Sequence, residues 1–202
     1  MTAPTNPDHS TIKEYLNTIT QRWLELKDPP LLEIRALADD RTPQYQHFQL
    51  QDIEAASLHA LQLNSEGWNL YSCVNPIAPG TAGAAKDVDI IAAFYCFADA
   101  DDEKGAAAIT TCDRYPPNFL VNTGSVPWPR VHGYWELDEP CHDLSEWTSL
   151  QKGIAKTLGT DQAVVNPSRI MRLAGTVAYP SHKKTNRGYI PEVTSLYAGE
   201  VN

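Results

Sequence analysis

The chain is 202 residues long, with 42% hydrophobic residues and a formal net charge of −9. That length allows one sizeable domain or two small lobes sharing a core, and the charge argues against a surface-wide binder of nucleic acid. No apolar run approaches the ~18 residues of a membrane span, and the opening MTAPTNPDHS has neither the basic nor the apolar part of a signal peptide, so a cytoplasmic protein is expected, with no membrane partner.

In chain order, Ile12, Tyr15, Leu16, Ile19, Trp23 and Leu26 recur at helical spacing until Asp28-Pro29-Pro30 ends the pattern. LLEIRAL then alternates like a strand, and a second helix is expected from about Gln51 to Asn64, before Gly67. WNLYSCV reads as a strand, and NPIAPGTAG, by its Pro and Gly content, as a mobile loop. The apolar run Phe94 to Ala98 predicts a buried strand that leads straight into Asp99, Asp101 and Asp102. A short Ala-rich helix over Asp102 to Cys112 follows, then two strands, NFLVNTG and RVHGYWEL, joined by SVPWP. Leu144 to Leu158 is helical by pattern, and Asn166-Pro167 has the chemistry of a helix start, which predicts a short helix carrying SRIMRLAG. Alternating strands and helices predict a mixed α/β (α+β) protein. The four cysteines, Cys73, Cys96, Cys112 and Cys141, are widely spaced and read as reduced, packed thiols; a zinc site at Cys112 and Cys141-His142 lacks a visible fourth ligand.

Three groups carry candidate chemistry. Side chains two apart on a strand share a face, so Asp99 and Asp101 stand on the order of 7 Å apart along it and repel each other unless a proton or a cation intervenes. A divalent metal is the natural remedy. On RVHGYW, Arg130, His132 and Tyr134 share one face and Val131 and Trp135 the other, an arrangement suited to a phosphate. Arg169 and Arg172, at i and i+3 of the expected helix, could converge on phosphate oxygens. Between Lys152 and Gly188 lie Lys152, Lys156, Arg169, Arg172, Lys183, Lys184 and Arg187 against the single acid Asp161. That isolation makes Asp161 a candidate third metal ligand, and the basic segment a surface for a polyanion.

Taken in order, CFADADD, NTGSVPWPRVHGYWELDEP and TDQAVVNPSRIMRLAGTVAYPSHKKTNRGYIPEV resemble the primase-polymerase domain of the archaeo-eukaryotic primase superfamily, in the form found in phage and plasmid replication proteins. The likeness runs from about Trp68 to Val193. The first family motif, an apolar strand ending in D-x-D or D-x-E, is matched by Asp99 and Asp101. The second, usually S-x-H, reads Arg130-Val131-His132 here, which keeps the histidine and replaces the small hydroxyl. The third, an Asp followed about eight residues later by R-x-x-R, is matched by Asp161, Arg169 and Arg172.

The resemblance implies one catalytic domain over 1–202: a helical lead-in over about 1–66, then a core over 67–193 with an N-terminal α/β part, an RRM-like part and a mixed sheet flanked by helices. It implies template-directed nucleotidyl transfer from an NTP or dNTP to a 3′-hydroxyl on single-stranded or primed DNA. Asp99, Asp101 and Asp161 would be catalytic and hold one or two Mg²⁺ or Mn²⁺ ions. Arg130, His132, Arg169, Arg172, Lys183 and Lys184 would grip the triphosphate. No G-x-x-x-x-G-K-[ST] occurs, so a helicase partner would be a separate chain or region. Two other readings compete: a primase-like module that only binds DNA or a replication partner, and a D-x-D metal enzyme acting on a sugar nucleotide. The first leaves three mutually repelling acids without a use, and the second leaves the basic segment unexplained.

Overall fold

The computed structural model describes residues 6–198. Its elements in chain order are α1 (His9–Thr20), β1 (Leu31–Ala38), β2 (Arg41–Gln49), α2 (Ile53–Ser65), β3 (Asn69–Cys73), β4 (Ala93–Ala100), α3 (Glu103–Thr110), β5 (Phe119–Gly124), β6 (Arg130–Cys141), α4 (Leu144–Leu158), β7 (Ile170–Arg172), β8 (Val177–Ala178), α5 (His182–Thr185), β9 (Glu192–Val193) and β10 (Ser195–Ala198). The strands form two four-stranded sheets, ordered β2-β1-β3-β7 and β10-β5-β6-β4, and a small β8-β9 pair. Every one of these pairings is antiparallel. The run β4-α3-β5-β6-α4 has the β-α-β-β-α order expected of an RRM-like part.

One interior serves both sheets. Asp8 caps α1 by accepting the Ser10 N–H at 3.0 Å, and the apolar stripe of that helix, Ile12, Tyr15, Leu16 and Ile19, is buried between the layers. It meets Leu32, Ile34 and Ala36 of β1 and Leu70 of β3, and also Phe94, Phe97, Phe119 and Tyr134 of the second sheet. Each such fully buried aliphatic or aromatic side chain contributes about 1.5–3 kcal/mol. The Cys thiols are all free, with Cys73 and Cys96 buried.

Three sequence expectations change. The lead-in is not simply helical: β1 and β2 form a hairpin that pairs through β1 with β3, so the first sheet spans the expected boundary at residues 66 and 67. The polar edge strand β2, RTPQYQHFQ, is exposed along most of its length and so has no apolar alternation to betray it. The helix expected after Asn166-Pro167 is instead the strand β7, because Ile170, Met171 and Arg172 find open partners in Cys73, Ser72 and Tyr71. Asn166 starts only a turn, accepting the Arg169 N–H at 3.1 Å.

The Pro- and Gly-rich segment after β3 is anchored. Ile77 bridges to Leu31 and Ile90, and the fully buried Glu33 accepts the Ala85 N–H at 2.8 Å. Glu33 is itself paired with Arg35 and with His47 at 3.2 Å.

Candidate active site

The site lies where one face of the second sheet leaves the core. Along β4 the inward residues are Tyr95 and Phe97, both buried, then Asp99, half-buried, with Asp101, exposed, just past the end of the strand. Antiparallel pairing sets Phe97 against Tyr134 and Asp99 against His132, which places His132 Nε2 3.4 Å from Asp99 Oδ1. The same alternation that packs the aromatic ladder therefore delivers the carboxylates and the histidine to one mouth.

The outer edge of β4 is held by α4 rather than by another strand. Trp147 Nε1 donates to the Tyr95 carbonyl at 3.0 Å. One turn on, Gln151 receives the Phe97 N–H at 3.0 Å and donates to the Phe97 carbonyl at 2.9 Å. Gly159, at φ +68°, ends α4 in the left-handed conformation, and two residues later the Asp161 N–H donates to the Asp99 carbonyl at 3.1 Å. Asp161 thus reaches the first two acids by docking its backbone on their strand.

Asp99 and Asp101 form a wall between two spaces. On one side is a cavity of about 240 Å³ that His132, Arg130, Arg172, Lys184, Tyr71 and Tyr189 help to line. On the other is a recess lined by Asp99, Asp101, Asp102 and Asp161, with Gly105, Gly159 and Thr160. Burial pushes the Asp99 carboxyl up to about 7, and Asp101 and Asp161 add to the rise, while Lys184 and Arg172 oppose it. Burial drives His132 down to about 3, helped by Arg172, so the imidazole is neutral.

These oxygen donors fit a hard divalent cation such as Mg²⁺ or Mn²⁺, and at Asp99 the neighbouring carboxylates of Asp101 and Asp161 add to the rise that burial causes. Among the described residues no group of three His, Cys, Asp or Glu side chains stands ready to hold an ion. Asp161 Oδ1 accepts the Ala163 N–H at 2.8 Å.

The cations expected at the site divide. Arg172 projects into the cavity, held by Asn69 Oδ1 at 2.6 Å and the Tyr71 hydroxyl at 2.7 Å. Lys184 also lines it, 3.5 Å from Asp101 Oδ2. Arg130 lines it too, but its guanidinium pairs with Glu192 at 2.9 Å and lies 4.6 Å from the Tyr189 ring centroid. Arg130 packs so tightly on Gly124 that a Cβ there would fall 1.7 Å from a guanidinium nitrogen.

Arg169 is not brought to the cavity. It stands one residue before β7, at the end of the turn that Asn166 starts, and it donates to the Ala163 carbonyl, bracing the loop that carries Asp161. Lys183 is exposed on α5 outside the cavity lining.

Sequence reasoning missed several contributors. Tyr71 and Tyr189 line the cavity, and Glu192 lies 62 residues from the arginine it holds. Glu192 also receives the Ser125 and Val126 N–H groups at 2.8 and 3.2 Å. Burial alone would raise its carboxyl, but these bonds and Arg130 hold it below the usual range. Trp128, in the loop so stapled, donates through Nε1 to the Asp101 carbonyl at 2.7 Å.

Among solved structures, the chain is similar to the AEP domain of the cyanophage S-2L primase-polymerase, with a TM-score of 0.63 and 23% identity, over 96% of this chain and 91% of that one. The fold is that of an archaeo-eukaryotic primase. Primase RepB′ superposes with a TM-score of 0.60 at 12% identity, over 92% of this chain and 56% of that one. The catalytic domain of RepB′ in complex with initiator DNA gives 0.55 at 11%, over 91% and 85%. No protein-family model and no curated protein matches the sequence. At these identities the likeness extends to the fold, and the function rests on the site.

Proposed function

We propose that the chain is a single template-directed nucleotidyltransferase domain, a DNA primase-polymerase of a mobile-element replication system, joining an NTP or dNTP to a 3′-hydroxyl. The observation that carries this reading is the wall formed by Asp99 and Asp101, with a cation-lined cavity on one side and an acid-lined recess on the other. Such a division suits a reaction in which a polyphosphate and an attacking hydroxyl approach the same carboxylates from opposite sides.

In the cavity, Arg172 and Lys184 would receive the triphosphate, with His132 donating from Nε2 and Arg130 closing the floor. Asp99, Asp101 and Asp161 would hold one or two Mg²⁺ or Mn²⁺ ions, which when bound lower the pKa of the attacking hydroxyl and offset charge on the departing pyrophosphate. Lys183 and Arg187, exposed beside the cavity mouth, would meet the phosphates of a single-stranded or primed DNA. Strand separation would fall to a helicase on another chain or in a region outside this sequence.

The test is incorporation of labelled dNTPs and NTPs on primed and unprimed templates with Mg²⁺ or Mn²⁺. Wild type should extend and Asp99→Ala should not. Nucleotide and DNA binding with no incorporation under any of these conditions would overturn the catalytic reading in favour of a binding module.

A further inference from the structure

Of the five tryptophans, four have a place in the core: Trp23, Trp68 and Trp147 belong to the interior shared by the two sheets, and Trp135 packs against it. Among the described residues Trp128 belongs to none of the apolar clusters, and neither does the buried Tyr189 beside it. The two rings meet edge to face with centroids 5.7 Å apart, and the half-buried Trp128 is flanked in sequence by the exposed Pro127 and Pro129. The loop that carries Trp128 is nevertheless tightly held. Arg130 Nη1 donates to the Val126 and Trp128 carbonyls at 2.5 and 3.4 Å, and Glu192 receives the Ser125 and Val126 N–H groups. The indole itself is fastened through Nε1 to the Asp101 carbonyl at 2.7 Å. A ring fixed this firmly outside the core is pre-organised for a contact rather than for packing.

Cations surround the aromatic pair. The Arg187 guanidinium lies 5.9 Å from the Trp128 ring centroid and 5.6 Å from that of Tyr189, over which Lys184 and Arg130 also stand, at 5.4 and 4.6 Å. Arg130 is paired with Glu192 and Lys184 with Asp101, whereas among the described residues the exposed Arg187 has no carboxylate partner. A fixed indole beside an unpaired guanidinium offers what a single nucleic-acid strand takes: a π-face for a base and a positive charge for the phosphate next to it. Trp128 lines neither the cavity nor the recess, so its ring stands outside the space assigned to the triphosphate, while its bond to Asp101 keeps it against the wall. We infer that Trp128, layered with Arg187, is a stacking platform for one base of single-stranded DNA and holds the strand beside the carboxylates. That this strand is a template rests on the proposed function, whereas the stacking of a DNA base on Trp128 does not.

Fluorescence anisotropy of a short labelled oligo(dT), without metal or nucleotide, tests the platform. Trp128→Leu should weaken binding roughly five- to a hundredfold, by the same factor at every salt concentration, because stacking releases no counterions. Arg187→Gln should instead flatten the log–log salt slope by about 0.7. Trp128→Phe keeps a ring and loses the indole N–H, so it should bind more tightly than Trp128→Leu, and an abasic strand of the same length should bind wild type and Trp128→Leu alike. The tryptophan emission that wild type has and Trp128→Phe lacks should be quenched by oligo(dT) and not by dTTP. Wild-type affinity in Trp128→Leu overturns the inference. So does an equal loss in the Leu and Phe variants or on the abasic strand, either of which makes Trp128 a brace for its loop, and so does quenching by dTTP, which assigns the ring to the incoming base. Should wild type bind oligo(dT) through Trp128 yet incorporate nothing, the proposed function falls and the platform stands; should Trp128→Leu fail to fold, Trp128→Phe and the quenching decide it.

Discussion

Asp99 stands at the point where the buried ladder of β4 meets the mouth, and its position has a cost. With its carboxyl held up to about 7 against an ordinary 3.8, it binds a proton more tightly in the folded chain than in the unfolded one. Its contribution to metal-free stability is therefore full below about pH 4 and is lost as pH rises through about 7. Asp99→Asn should melt above wild type at about pH 8 in the presence of a chelator, by a margin that vanishes near pH 4. Thermal melts at the two pH values check this, and an equal margin at both would count against uncompensated charge at Asp99.

The arginines separate by what they touch. Removing Arg130 strands Glu192, whose side chain is only 13% exposed, so Arg130→Ala should cost about 3–5 kcal/mol of stability, read from denaturant unfolding. Arg172→Ala should leave a folded protein with kcat/KM for nucleotide lowered roughly ten- to a hundredfold. Arg169→Ala should leave the nucleotide KM alone and act instead through the loop bearing Asp161. If Arg130→Ala were as stable as wild type, the pair with Glu192 would have no structural weight.

At the scale of elements, α4 is the device that assembles the acids. Trp147, Gln151 and then the Asp161 backbone engage Tyr95, Phe97 and Asp99 in turn, so the helix runs along the open edge of β4 like a missing strand. Gln151→Leu keeps the bulk but orphans the Phe97 N–H and carbonyl, at about 1–3 kcal/mol for each buried group. Hydrogen exchange should quicken at the amides of Phe97 and Asp161 ahead of the rest of the sheet. Unchanged protection of Asp161 would mean that its loop is held by other contacts, such as Arg169 on the Ala163 carbonyl and Asp87 on Ser168 at 2.6 Å.

At the scale of the whole molecule, charge is sorted rather than balanced. A net −9 coexists with Lys183, Lys184 and Arg187 together on and just after α5, beside the cavity. Association with single-stranded DNA should be weak at physiological salt and should strengthen steeply as salt falls. Neutralising about three phosphates predicts a log–log slope of roughly −2 for a single strand. Fluorescence anisotropy across a tenfold salt range measures it, and a flat response would rule out phosphate contacts as the source of binding.

Much of this was legible in the linear chain because it is written in short-range periodicity. The strand Phe94–Ala98 ending in acids, the shared face of Arg130, His132 and Tyr134, and the limits of α4 all follow from side-chain spacing within a few residues. What spacing cannot encode is which distant groups offer partners. Ile170–Arg172 became a strand because β3 had an open edge. Without helical i, i+3 geometry, Arg172 reaches the cavity from the strand while Arg169 stays in the turn before it and binds the Ala163 carbonyl. Arg130 was drawn down by Glu192, and the contacts of the Tyr15 hydroxyl with Ser72 and Tyr134 exist only once α1 lies between the two sheets. Local sequence determined which chemistry was carried on each element; the choice of which carboxylates, cations and hydroxyls meet was made by tertiary packing, because buried polar groups must find partners wherever the fold brings them.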